Sequence, residues 1–169
     1  QGASAGIEIT ASHNPIDYNG MKIIKQGSQP LMENEFQSIR SLAETQKFKS
    51  SSVYGEMIDC SLEARRAYLE KIINFVDRSR LKPLKIVINS GNGAAGPTFD
   101  VLAEKLFESG AQAEFIRVHH TPDAAFPNGI PNPLLPQNHA ATSDVVQANK
   151  ADFGVAFDGD FDRCFFFDE

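Results

Sequence analysis

An α/β fold, with a mixed, largely parallel sheet layered with helices, is what this sequence predicts, and three observations carry the prediction. From Leu84 onward, short apolar runs alternate with helix-like periods, the order that builds parallel sheets through crossover connections. A glycine-rich stretch, Gly91-Asn92-Gly93-Ala94-Ala95-Gly96, stands between the first of those strands and the helix after it. Apolar residues make up 41% of the 169 positions, ample for a buried core.

Taken in order, Gly6-Ile7-Glu8-Ile9-Thr10 has the period of two that marks a strand, and Met21 to Lys25 reads as a second. Gly27 through Pro30 reads as the turn closing it. Apolar Met32, Phe36, Ile39 and Leu42 recur at helical spacing, predicting a helix over Met32 to Glu44. The polar stretch Thr45 to Ser52 breaks the pattern and is the expected interdomain passage. A second helix is expected to start at Asp59 or Ser61 as N-cap, with Leu62, Leu69, Ile72, Ile73 and Val76 on one side and Arg65, Arg66 and Lys71 in water.

Lys85 to Asn89 is the first strand of the alternating part. Pro97 suits the first turn of a helix running to Ser109, with Gly110 as its stop. Ala113 to Val118 is the next strand, followed by a proline-rich passage from His119 to Pro136. Asn138 is expected to cap a helix ending near Asn149. Phe153 to Phe157 is a buried strand that delivers an acidic loop, and Cys164 to Phe167 is a further apolar run. Ligands of such sheets gather beyond the carboxyl ends of the strands, where Asp158 would lie.

Two loops carry chemistry. Thr10-Ala11-Ser12-His13-Asn14-Pro15 ends the first strand in a tight turn, and its exposed hydroxyl makes Ser12 the candidate nucleophile. Asp158-Gly159-Asp160-Phe161-Asp162-Arg163 sets acids at alternate positions, whose mutual repulsion calls for a cation, and hard divalent ions such as Mg²⁺ take such oxygen ligands. A calcium-binding EF-hand fits the spacing of the three aspartates and Glu169. It requires glycine where this chain has Arg163, and helices where it has strand-like runs. The glycine stretch matches a dinucleotide fingerprint, but the next strand ends in Arg117-Val118-His119 instead of the acid that would hold a ribose. It reads as a tight strand-to-helix turn. His119, His120 and His139 are expected at the surface, and Cys60 and Cys164 as free thiols with structural roles.

Lys and Arg total 16 against 22 Asp and Glu, and the resulting charge of −6 would repel nucleic acid or an anionic membrane. Any phosphate must therefore be held locally. No apolar run approaches the roughly 20 residues of a membrane span, and the first residues lack a signal-peptide pattern, so the cytoplasm is the expected location.

The two loops together resemble those of the α-D-phosphohexomutases, and within that family the phosphomannomutase and phosphoglucomutase group. Both motifs are present without substitution. Asp17-Tyr18-Asn19-Gly20-Met21-Lys22 and the glycine stretch are also similar, so the likeness spans almost all of the chain. The resemblance implies that Ser12 is phosphorylated and that Mg²⁺ is held by Asp158, Asp160, Asp162 and the group on Ser12. It further implies that Arg163 binds phosphoryl oxygens, that His13 orients or neutralises the phosphate, and that Lys22 faces the phosphoserine as a proton shuttle. The implied reaction interconverts hexose 6-phosphate and hexose 1-phosphate through a bisphosphate, with a hexose 1,6-bisphosphate as activator and a small sugar phosphate as partner. The likeness favours mannose phosphates over glucose or glucosamine phosphates. It also implies that residues 1–58 are the C-terminal part of a first domain carrying the phosphoserine loop, and residues 59–169 a second domain carrying the metal loop. Third and fourth domains, which would read the sugar and grip its other phosphate, are absent from the sequence, so the chain alone is expected to be inactive in the full reaction.

Overall fold

In a computed structural model, residues 2–77 and 80–168 are described. The chain forms two units: residues 1–10 with 19–59, and residues 11–18 with 60–169.

In the first unit, β1 (Ala5–Ile9) runs antiparallel to β2 (Met21–Lys25), with Ala5 opposite Lys25 and Ile9 opposite Met21. The Thr10 amide donates to the Gly20 carbonyl at 3.0 Å and extends the ladder by one step. The expected turn over Gly27 to Pro30 is in part a strand. A 3₁₀ turn covers Gln26–Ser28, and β3 (Gln29–Pro30) then pairs with Lys25 and Ile24. An edge position tolerates proline because no ladder bond needs its missing N–H. Helix α1 (Glu33–Thr45) begins one residue later than its apolar period suggested. Met32 stays outside because the Glu35 carboxylate accepts its amide hydrogen at 2.7 Å and also pairs with Lys25 at 2.8 Å. No residue described in this unit is fully buried.

The second unit holds the core. Strand order is β5-β4-β6-β7, with β4 (Leu84–Asn89) parallel to β5 (Ala113–Val118) and to β6 (Phe153–Phe157), and β7 (Cys164–Phe167) antiparallel to β6. This is the mixed, largely parallel sheet the sequence predicts. Alternating residues of β4 serve opposite faces. Ile88 packs with Phe99, Ala103 and Val155, on the side of α3 (Ala95–Glu108). Val87 packs with Val146 and Ala151, on the side of α4 (Ala140–Asn149). Burying each of the larger of these side chains, Ile88, Phe99, Val155, Val87 and Val146, contributes about 1.5–3 kcal/mol. Because β5 and β6 flank β4 on opposite sides, the chain reverses its winding there, and the loops beyond the carboxyl ends of β4 and β6 form the crevice where such sheets place ligands.

Two helix details depart from expectation. On α2 (Ser61–Ile73), Leu62 is 65% exposed while Arg65 is half-buried. The face that turns inward runs Arg65, Leu69, Ile72, Ile73, and Leu69 at its centre is 1% exposed. Neither Asp59 nor Ser61 is the N-cap, which is Cys60. Asn138 does not cap α4 either. It sits in a 3₁₀ turn (Pro136–Asn138), and its side-chain amide donates to the carbonyls of Ile130 and Asn132 at 3.2 and 2.9 Å. His139 takes the N-cap position. No helix among the described residues is long and apolar enough to cross a membrane.

Candidate active site

The Ser12 turn, residues 11–18, belongs with the second unit even though the strand before it belongs to the first. Asn14 shapes it: its backbone and side-chain amides both donate to the Ala11 carbonyl, at 3.1 and 2.7 Å. Ser12 is held at φ 56°, a left-handed conformation uncommon outside glycine and asparagine.

The aspartate loop joins β6 to the antiparallel β7, so it is closed at its base, with Phe157 opposite Cys164 and the Asp158 amide donating to the Arg163 carbonyl at 3.2 Å. Phe161, also left-handed at φ 67°, stacks its ring edge-to-face on Phe157 at 4.9 Å and anchors the loop from inside. Asp158 has no exposed surface, yet it is fully bonded. One oxygen accepts the Arg163 amide at 3.0 Å, and the other accepts Nε at 2.9 Å and Nη2 at 2.6 Å of the same residue. Partial burial opposes the charge on Arg163, but Asp158 and then Asp162 outweigh it and raise its pKa above the ordinary guanidinium value.

Arg163 Nη2 also donates to Ser12 Oγ at 2.9 Å and to His13 Nδ1. Since a guanidinium can only donate, His13 Nδ1 is the acceptor there and the imidazole proton sits on Nε2. Ser12 Oγ lies 3.1 Å from His13 Nδ1, 3.3 Å from Asp160 Oδ1 and 3.5 Å from Asp158 Oδ2. The hydroxyl oxygen is thus held by a fixed cation while its proton has carboxylate oxygens of Asp160 and Asp158 within reach. That arrangement suits an oxygen that must carry a phosphoryl group.

The residues fit a hard divalent cation. Carboxylate oxygens of Asp158, Asp160 and Asp162 lie within 4.8 Å of one another, graded from buried through half-buried to exposed. An all-oxygen, anionic donor set of this kind takes Mg²⁺ or Mn²⁺. Strands flank the loop, which removes the EF-hand reading, and Glu169, its twelfth position, lies outside the described residues. The glycine turn is filled by the chain itself: a Cβ on Gly91 would stand 2.4 Å from Pro131 Cβ. Six of the seven residues singled out for chemistry, all but Lys22, therefore meet in one unit: Ser12, His13, Asp158, Asp160, Asp162 and Arg163. Lys22 is an exposed residue of β2 in the first unit, its Cα opposite that of Glu8.

The remaining histidines are not surface residues. All are half-buried, and two brace loops: His120 Nε2 meets Asp100 at 2.9 Å, and His139 Nε2 meets the Pro133 carbonyl at 2.9 Å. Burial pushes the pKa of His119 down. Cys60 and Cys164 are free, as expected, but exposed. Sequence reasoning missed the clamp around Asn92. Its amide and carbonyl bond to His119 and Asp123 at 2.6 and 2.8 Å, and its side chain bonds to Thr121 and Asn128 at 2.8 Å each. Only the asparagine between two glycines hinted at it.

Comparison with known proteins gives a consistent assignment. The family model for phosphoglucomutase/phosphomannomutase, alpha/beta/alpha domain II, matches residues 66–169, and that for alpha/beta/alpha domain I matches residues 1–50. A phosphomannomutase of Vibrio cholerae is 49% identical over 99% of this chain, which corresponds to 36% of that protein. A protein of Xanthomonas campestris named phosphohexose mutases is 48% identical over 98% of this chain and 36% of its own length. The crystal structure of a phosphoglucomutase/phosphomannomutase family protein from Burkholderia thailandensis superposes with a TM-score of 0.78 at 33% identity, covering 97% of this chain and 33% of that one. The chain therefore spans about a third of the length of the relatives it matches.

Proposed function

Because the chain belongs to the phosphoglucomutase/phosphomannomutase family, we propose that it is the nucleophile- and metal-bearing part of a phosphohexomutase, interconverting hexose 6-phosphate and hexose 1-phosphate through a phosphoserine at Ser12. The observation that carries this reading is the convergence of Arg163 Nη2 on Ser12 Oγ at 2.9 Å with Asp160 and Asp158 3.3 and 3.5 Å away. Mannose phosphates are the favoured substrates, in line with the names of the relatives, and glucose and glucosamine phosphates are the alternatives. A hexose 1,6-bisphosphate acts as activator by phosphorylating Ser12.

In the forward step the bond between Ser12 Oγ and phosphorus breaks as a free sugar hydroxyl forms its own bond to phosphorus. The hydroxyl loses a proton, for which His13 and Lys22 are the candidate acceptors, the freed Ser12 oxygen takes up a proton in exchange, and a bisphosphate results. The bisphosphate turns round, and its other phosphate returns to Ser12 Oγ. Arg163, kept charged by Asp158, stabilises the equatorial oxygens in transit and the serine oxygen as it leaves. His13 keeps that oxygen oriented. Asp158, Asp160 and Asp162 would hold Mg²⁺ together with the group on Ser12, and the ion supplies neutralisation of phosphoryl charge.

The test is incubation of the chain with glucose or mannose 1,6-bisphosphate and Mg²⁺, followed by intact-mass analysis and peptide mapping. A single phosphate on Ser12, absent in Ser12→Ala, is the expected result; phosphate mapping to Ser90 or Ser4 overturns the assignment. In the full-length enzyme, Ser12→Ala is expected to lower turnover by at least about a thousandfold, the order seen when a central group of such a site is removed.

A further inference from the structure

The glycine turn that follows β4 lies beside the aspartate loop, and the two approach more closely than any side chain allows. A Cβ built on Gly93 would stand 2.6 Å from the Gly159 carbonyl oxygen and 3.0 Å from its Cα. On the next residue, the Ala94 amide donates to that same carbonyl at 3.0 Å. A Cβ built on Gly159 would in turn stand 2.7 Å from the Ser12 carbonyl oxygen. Three backbone segments are therefore in direct contact: glycine turn on metal loop, and metal loop on nucleophile turn. Neither Gly93 nor Gly159 has a positive φ, so glycine is required at both for lack of room and not for its backbone freedom.

From this contact we infer that Gly93 and Gly159 are positioning residues that set the distance between the serine nucleophile and the metal-binding carboxylates. The inference rests on the functional reading above. Asp158 and Asp160 flank Gly159 in the chain, and Ser12 carries both the carbonyl that Gly159 touches and the hydroxyl that those carboxylates face. Backbone atoms in contact form a stiffer spacer than side chains, which can change rotamer. A methyl group at Gly93 must move the Gly159 peptide by the better part of an ångström to reach ordinary contact, and the hydrogen bond from Ala94 must lengthen with it. Displacements of about 1 Å are enough to cost on the order of a hundredfold in a reacting geometry.

The experiment compares the chain as it stands with Gly93→Ala, Gly159→Ala and Val146→Ala. Val146 is wholly buried against α4 and serves as a control for lost stability. Mn²⁺ affinity is read from the free-ion electron paramagnetic resonance signal, Ser12 phosphorylation by a hexose 1,6-bisphosphate from intact mass, and folding from the thermal transition. Both glycine variants are expected to bind Mn²⁺ at least fivefold more weakly and to phosphorylate at least tenfold more slowly than the unaltered chain. Val146→Ala is expected to lower the melting temperature while staying within twofold on both counts. If Gly93→Ala does not fold, Gly159→Ala, approached from the opposite side, decides. Folded glycine variants that match the unaltered chain overturn the inference, as does Val146→Ala weakening both readouts equally. An unaltered chain that neither binds Mn²⁺ nor phosphorylates Ser12 overturns the functional reading itself, and is distinguished by failing before any variant is compared.

Discussion

The two units solve the problem of stability differently. The second folds its strands between two helical layers, and every fully buried apolar side chain among the described residues belongs to it. The first holds its strands by an antiparallel ladder and an ion pair, while Ile7, Ile9, Met21 and Phe36 remain 47 to 67% exposed. The proposed reacting groups, Lys22 excepted, sit on the unit with the core. A nucleophile held at φ 56° and a fully buried carboxylate are both costly, and a packed sheet supplies what holds them in place.

The largest test of this contrast is a matched pair of truncations. Leu69→Ala is expected to cost about 2–5 kcal/mol, the range for emptying a well-packed site, whereas half-exposed Phe36→Ala should cost no more than about 1 kcal/mol. Urea denaturation of both variants makes the comparison, and equal losses would mean that the first unit has a core of its own. Asp158→Asn comes next. It keeps the shape but weakens the charge-assisted bonds to Arg163, and since that guanidinium is 34% exposed and can turn to water, the expected loss is about 2 kcal/mol. Relief of repulsion with Asp160 and Asp162 offsets part of it, so a gain in stability would show that repulsion dominates the loop.

Acid separates the units by where each begins to loosen. In the second, burial lowers the pKa of His119 below 6.5, so the fold keeps it neutral. Its contribution is complete above pH 6.5 and is lost as pH falls through the lowered value, because the unfolded chain takes up the proton first. Asp100 follows: burial raises its pKa, but the bonds from His120 and Arg117 outweigh that and hold it below 3.8, so its contribution is lost only as pH drops beneath that value. In the first unit Glu35 lies below 4.5, through its bond to Lys25 and then to the Met32 amide, and its contribution fades below 4.5. Protection against amide exchange, taken relative to the intrinsic rate at each pH, is therefore expected to fall first in the second unit between pH 7 and pH 5, and His119→Gln should remove that early fall. The smallest effect is expected of Glu35→Gln, confined to faster exchange in the first turn of α1 and read by the same measurement.

Much of this architecture was legible because it is local. The period-two alternation of β1, the helical spacing of α1, the short strand-like runs of β2, β4, β5 and β6, and the Pro97-to-Gly110 frame of α3 placed these elements to within a residue or two, and the motif spacing identified both loops. What escaped depends on contacts between distant segments. Asn138 has the residue type of a cap, but two carbonyls of the proline-rich passage compete for its amide and win. Leu62 lies on the apolar side of α2 by type, yet the helix is rotated by its packing so that Arg65 turns inward, its aliphatic stem able to serve where its charge would not. The half-burial of His120 follows from Asp100, twenty residues earlier and on another element, which no local pattern reports. Within the candidate site, the residue types were visible in the motifs, whereas the backbone contacts that set their spacing were not.

The closure of the aspartate loop by the β6–β7 pairing has a kinetic consequence. Because Phe157 and Cys164 are already in register, the cost of ordering the acidic segment is met when the sheet forms. A cation taken by Asp158, Asp160 and Asp162 would then meet ligands already in place, and its rate of capture is expected to be governed by how fast the ion sheds water. Chelation should likewise leave the strands paired and remove only the stabilisation that mass action supplies, about 2.7 kcal/mol at an ion concentration a hundredfold above the dissociation constant. The proposed metal site would thus empty and refill without the chain passing through an unfolded state.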